Sequence, residues 1–302
     1  MSAPLSQNNG IPTTAPLTQG YALPAAIRWT IAMASRVYPA GVLPWLERLF
    51  FTPLRLDYSA RQKRFEAEVE ALLVPTGKTA IRAYRMRAHG PRMLFVHGWS
   101  GCGAQFHEMM RFFHQKGFDC WTFDAPGHGQ SERVPTDMPT FAQAAVDLSH
   151  FSGGFFAAVG HSLGGMALHL AAPNIAGLRS LASICAPYSV ARVVQEFCAR
   201  SGGGKRMEAP LMNRLHLRYP EQVDLFDPRV AFARHGLSGL VVHDRDDPEV
   251  SFENALDLGA YWPGSVLFET QGLGHRKPLR DTSVWEAIER HLNVIQPTLT
   301  SE

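Results

Sequence analysis

The chain is 302 residues long, with 45% hydrophobic, 19% charged and 10% aromatic residues. That length fits one large domain or two small ones and needs no disulfide or metal staple, and the composition excludes collagen-like, disordered and coiled-coil classes. With 29 Lys and Arg against 27 Asp and Glu the net charge is +2, which gives no reason to expect nucleic acid or an acidic surface as partner.

Residues 1–20 are charge-free and rich in Pro, Ser, Thr, Asn and Gln, which reads as a disordered tail. A basic start and an unbroken apolar core, the marks of a signal peptide, are both missing. Residues 21–60 form an N-terminal extension with two expected amphipathic helices, over 25–37 and 42–51. No stretch of 18 apolar residues occurs, so no integral membrane span is expected. The favoured reading packs these helices on the main domain. A peripheral membrane contact, or a wall of the substrate entrance, is the alternative.

From residue 61 onward strand and helix signals alternate. Residues 69–74 and 79–86 read as a hairpin across Pro75-Thr76-Gly77-Lys78. Short unbroken apolar runs at 93–96, 155–159 and 240–242 suit strands buried on both faces. Residues 120–123, 180–185 and 265–268 fit the same role. Helical patterns lie between them at 104–116, 141–151, 163–172, 252–261 and 282–292. This rhythm predicts a doubly wound α/β fold, with its core in 61–186 and 238–302. Residues 187–237 carry no convincing strand. Val190, Val193, Val194 and Phe197 keep helical spacing after Ser189, a candidate N-cap, and a second helical patch covers 211–217. A small helical insertion is the better reading of so long a strandless stretch. Cys102, Cys120, Cys185 and Cys198 show no zinc-ligand spacing and read as reduced thiols of a cytoplasmic protein.

The strongest chemical signal is Gly160-His161-Ser162-Leu163-Gly164-Gly165, directly after an apolar run and before a helix. A serine on such a sharp turn projects its hydroxyl out of the sheet, and the helix N-terminus favours negative charge beside it. The hydroxyl needs a base. His275, after Gly272-Leu273-Gly274 and before the last helix, is the candidate. The histidine needs an orienting carboxylate. Asp247 is preferred in His243-Asp244-Arg245-Asp246-Asp247-Pro248, because Pro248 restricts its backbone to extended conformations. Asp244, Asp246 and Glu249 are its rivals. Oxyanion donors are expected from the backbone N–H groups of Leu163 and Trp99, the latter in His97-Gly98-Trp99-Ser100-Gly101. Trp99 and His161 are the candidate substrate-binding residues. No H-E-x-x-H or similar ligand pair occurs, so neither a metal nor another cofactor is implied.

With these pieces and Asp124-Ala125-Pro126-Gly127-His128-Gly129-Gln130-Ser131, the chain resembles the α/β-hydrolase superfamily over residues 69–292. The resemblance implies a mostly parallel central sheet with helices on both faces. It makes 187–237 an inserted helical cap and residues 124–131 a structural turn without catalytic duty. One departure is Asp244, where a glycine commonly follows the histidine. A serine nucleophile disfavours the dehalogenase and epoxide hydrolase chemistries of the superfamily. The expected activity is carboxylic ester hydrolysis by an acyl-enzyme on Ser162. Thioesterase or carbon–carbon bond hydrolysis by the same triad, or a non-catalytic binding role, stand as alternatives. The expected partner is therefore a small-molecule ester or thioester. Eight basic and five acidic residues in 187–237 hint at an anionic substrate. Val190, Val193, Val194, Phe197, Leu211, Met212, Leu215 and Phe226 form either a pocket lining or the insertion's own core.

Overall fold

The computed structural model describes residues 23–54, 60–77, 79–222 and 226–295. The expected tail at 1–20 lies outside them. Eight strands form one sheet: β1 (Glu70–Thr76), β2 (Thr79–Met86), β3 (Arg92–Val96), β4 (Asp119–Asp124), β5 (Ala157–His161), β6 (Ser180–Ile184), β7 (Gly239–Asp244) and β8 (Ser265–Thr270). Their spatial order is β1-β2-β4-β3-β5-β6-β7-β8. The β1–β2 and β2–β4 pairs are antiparallel, and every pair from β4 to β8 is parallel.

The apolar run at 93–96 shows why such strands lack alternation. Leu94 and Val96 join one buried cluster, while Met93 and Phe95 join another on the opposite face. Both clusters are covered by helices. On the first face pack α5 (Met138–Ser152), α6 (Leu163–Ala171) and α10 (Glu253–Tyr261). On the second pack α3 (Ala60–Glu68), α4 (His107–Gln115) and α11 (Thr282–Ile295), through Phe65, Phe113 and Ile288.

Between β6 and β7 run α7 (Val190–Ser201), α8 (Lys205–Arg218) and α9 (Pro228–His235). Ser189 caps α7 by accepting the N–H of Arg192 at 3.3 Å. Gly202 ends α7 with φ +93°, a conformation that suits glycine. The helical patch at 211–217 is the second half of α8, which continues through Pro210.

The N-terminal helices are α1 (Ala25–Val37) and α2 (Pro39–Phe50). Ile31, Leu46 and Phe51 are buried in the first cluster, beside α7 and α8 residues such as Val194 and Leu211. Glu47 is tied to Arg214 of α8 at 2.8 Å. Among the described residues no helix is long and apolar enough to cross a membrane.

Candidate active site

β3 and β5 are central and adjacent, and the loops after their C-terminal ends meet. Ser162 stands between β5 and α6 with φ +53° and ψ −125°. A non-glycine residue in that region carries backbone strain of about 1–3 kcal/mol, held by its surroundings. The surroundings are steric. A Cβ on Gly160 would lie 2.4 Å from Gly165 Cα, and one on Gly164 would lie 2.2 Å from Val96 O. The glycines of the motif are therefore demanded by backbone packing between β3, the turn and α6. Leu163 opens α6, so its N–H has no carbonyl within the helix.

Gly98 makes the second close approach. A Cβ there would meet Ser162 Cβ at 2.9 Å and His161 O at 3.1 Å. The backbone leading into Trp99 thus lies against the serine. His97 pins this loop to its neighbour: its Nε2 accepts the N–H of Ala125 at 3.0 Å, and its Nδ1–H donates to Gly98 O at 2.7 Å. Asp124 accepts from Gly103 N and Gln130 N, each at 2.7 Å, and from the Tyr84 hydroxyl at 2.9 Å. Residues 124–131 are a turn held by these bonds.

Asp247 stands beside His275. His275 Nδ1–H donates to Asp247 Oδ2 at 2.8 Å, and the Asp247 side chain has no solvent exposure. Asp247 Oδ1 accepts the N–H groups of Glu249 and Val250 at 2.7 and 2.9 Å. Burial opposes ionisation of Asp247, but the hydrogen bond and charge of His275 and the two backbone donors outweigh it, and its pKa falls below the ordinary value. With Nδ1 donating, His275 Nε2 is the ring's acceptor.

Asp244, the departure from the superfamily pattern, has different work. It accepts Gly274 N, Leu273 N, Asp246 N and the Thr270 hydroxyl at 2.8–3.0 Å. It therefore holds the loop that presents His275. Asp246 accepts the N–H of Gly272 at 3.1 Å, and Glu249 pairs with Arg276 at 3.3 Å.

His161 lines the same cavity as Ser162 and His275. Its Nε2–H donates to His275 O at 2.8 Å, so it clamps the backbone of the histidine as well as facing the cavity. Burial, then the neighbouring His275, push its pKa down to about 3, and the ring is neutral. Among the described residues its buried Nδ1 has no hydrogen-bond partner.

Among the described residues one group, Cys185, His243 and Asp247, brings metal-ligand atoms within 4.8 Å of one another. The thiol is pushed well up by burial and by Asp247, so it keeps its proton. His243 Nε2–H is spent on Val250 O at 2.9 Å. Coordination would have to release both protons.

Residues 91–198 match the family model described as the alpha/beta hydrolase fold. The chain has the α/β-hydrolase fold. Similar solved structures include a membrane phospholipase A described as a bacterial virulence factor, with TM-score 0.60, 14% identity, and coverage of 90% of this chain and 97% of that one. Est1E from Butyrivibrio proteoclasticus, solved with ferulic acid, has TM-score 0.57 and 14% identity, covering 74% of this chain and 99% of that one. A bromoperoxidase from Bacillus anthracis has TM-score 0.57 and 16% identity, covering 74% and 100%. No curated protein matches the chain.

In this α/β-hydrolase fold the cavity over Ser162 holds about 260 Å³. Of the apolar residues expected in the insertion, Val190, Val193, Phe197, Leu215 and Phe226 line it. Val194 and Leu211 are fully buried in the core instead, and Met212 packs against that core. Trp99 lines the cavity and also stacks on Phe141, so its packing and its wall position coexist.

The wall also takes residues from the helix over 42–51, for which a wall of the substrate entrance is the alternative reading, and from polar positions of the insertion that the sequence reading does not single out. Phe50 and Phe51 reach the cavity from the end of α2. Glu196 and Arg200 reach it from α7. The available signal was spacing: 193, 196, 197 and 200 form an i, i+3, i+4, i+7 stripe that an apolar count passes over. Arg200 donates to Pro248 O and Glu249 O at 2.7 and 2.5 Å. It thereby fastens α7 to the loop that carries Asp247. Burial pushes Glu196 up to about 7.

Proposed function

We propose that the chain is a serine hydrolase of carboxylic esters. The observation that carries this reading is the 2.8 Å bond from His275 to Asp247 beside a strained Ser162 that shares one apolar cavity with the histidine. Ser162 Oγ attacks the ester carbonyl carbon while His275 Nε2 takes its proton. The backbone N–H groups of Leu163 and Trp99 bind the oxyanion, the first helped by the N-terminus of α6. His275 then returns the proton to the leaving alcohol. Water attacks the acyl-enzyme with His275 again as base, which frees the acid and restores Ser162. Asp247 fixes the Nδ1–H tautomer throughout and stabilises the imidazolium.

The helices between β6 and β7, together with the end of α2, act as a cap that excludes water and receives the acyl or alcohol part. The apolar side chains Phe50, Phe51, Val193, Phe197 and Phe226 support an apolar substituent there. Hydrolysis of p-nitrophenyl esters of increasing acyl length tests the reading, with Ser162→Ala as control. Turnover by the natural chain and loss in the variant are expected. A chain that neither turns over any ester nor labels at Ser162 with a fluorophosphonate would sink it.

A further inference from the structure

Large hydrophobic side chains exposed singly on a surface need no explanation. Those on the N-terminal helices are not single. Of the 14 such side chains among the described residues, seven lie between residues 27 and 54, so the exposed hydrophobic side chains concentrate on this one segment. Trp29, Met33 and Val37 repeat at i, i+4, i+8 on α1, opposite its buried residues Ile31 and Ser35. The solvent side of α1 thus carries an apolar stripe, flanked by the exposed Arg28, Thr30 and Arg36.

The turn into α2 carries this further. Val37, Tyr38, Pro39, Ala40 and Gly41 are five consecutive exposed residues without a charge. Val37 is 83% and Tyr38 66% accessible, so the corner projects from the body. Trp45, on the next turns of α2, is also exposed. Runs of this kind lower solubility unless something covers them.

The charges choose the partner. The first 46 residues contain no Asp or Glu. The exposed charges of the two helices are Arg28, Arg36 and Arg48. Glu47, the one acid of α2, is turned to Arg214. Aromatic rings, a projecting aliphatic corner and flanking arginines match the layers of an anionic bilayer surface, from headgroup phosphate to acyl chain. The position agrees. Phe50 and Phe51 at the end of α2, and Leu54 after it, line the cavity over Ser162, and Leu54 N–H donates to Ser100 Oγ at 2.9 Å. The apolar patch is therefore continuous in the chain with the cavity wall.

We propose that the α1–α2 corner docks the protein on anionic lipid bilayers, with Trp29, Val37, Tyr38 and Trp45 in the interface and Arg28 and Arg36 at the phosphates. Docking places the cavity wall near the lipid, so an apolar substrate could pass from one to the other. The surface does not depend on the serine-hydrolase reading, since binding needs no turnover.

The test is co-sedimentation of the full chain with phosphatidylcholine vesicles, with and without phosphatidylglycerol. Binding to the anionic vesicles that weakens with salt is expected. The variant Trp29→Ser/Val37→Ser/Trp45→Ser should lose roughly tenfold or more in partitioning while keeping its melting temperature. If that variant fails to fold, Arg28→Gln/Arg36→Gln serves instead. It should lose about fivefold per arginine on anionic vesicles and nothing on neutral ones. Brominated lipid should quench the fluorescence of the natural chain more than that of a Trp29→Phe/Trp45→Phe variant. Absence of sedimentation by the natural chain overturns the proposal, as does equal sedimentation by the serine variant. So does a dimer in solution that the serine variant dissolves without any vesicle binding, because the patch would then belong to a second copy.

Discussion

The turn at Ser162 and the roof above it are built by different forces. The turn is made of backbone: glycines at 160 and 164 allow carbonyls and Cα atoms to meet at distances no Cβ would tolerate. The roof is made of side chains from α2, α7 and α8, with a few polar fastenings such as Arg200 on the Pro248 and Glu249 carbonyls. Close-packed backbone has one arrangement, so its residues are readable locally and intolerant of change. A side-chain roof can be repacked with modest loss, and its members come from distant stretches of chain.

Substitutions can test that contrast. The largest effect belongs to the Asp247–His275 pair. Asp247→Asn leaves the shape but removes the acceptor that fixes His275, and kcat should fall about 10⁴-fold with the melting temperature nearly kept. A fall below tenfold would mean that another acid orients the histidine. Next comes the turn itself. Gly164→Ala should destabilise by about 3 kcal/mol or more in urea unfolding, since its Cβ meets the Val96 and His97 carbonyls. Phe197→Ala in the roof should instead shift the preferred acyl length with a smaller stability change. If both variants unfold alike, the contrast fails.

Arg200→Ala joins the two regions. Freeing the loop after Asp247 should lower kcat/KM by about tenfold, with kcat carrying most of the loss. An effect confined to KM would make Arg200 a substrate contact only. Acid gives a smaller, graded effect. The folded pKa of His161 lies near 3, below an ordinary value of 6.5. An unfolded chain takes up that proton first, so the stability due to a neutral His161 is full above pH 6.5 and drains as pH falls toward 3. The slope is about 1.4 kcal/mol per pH unit for this one group. Urea midpoints between pH 7 and 4 read it, and His161→Gln should flatten the curve. The smallest effect is expected at Glu196, which titrates near 7 in the cavity wall. Glu196→Gln should remove the pH dependence of KM around that value, and an unchanged KM profile would leave Glu196 outside substrate binding.

Much of the architecture is legible because its signals are local. Unbroken apolar runs mark β3 and β7, since both of their faces are covered. The helix over 25–37 has the bounds read from its pattern. The short helix α3 and the full length of α8 are harder to read. The first has a low apolar content, and the second runs on through Pro210. Likewise, Asp244 and Asp247 are equal as carboxylates in one loop. Only the return of β8 beside β7 brings the 270s loop over both, giving its N–H groups to one and His275 to the other.

The sequence by itself determined the strand-to-helix turn at Ser162, the sheet that supports it and the presence of His275 in a loop before the last helix. Each follows from backbone sterics or from hydrophobic periodicity within a few neighbouring residues. Tertiary structure decided which acid meets that histidine, and that Glu196 and Arg200 face the cavity. It also decided that α2 closes one side of the cavity while α1 turns Trp29 and Val37 outward. Those outcomes depend on contacts between residues far apart in sequence, such as Glu47 and Arg214, 167 positions apart. Local propensity carries no information about which distant surfaces will meet, because packing energy is assigned only when the whole chain has folded.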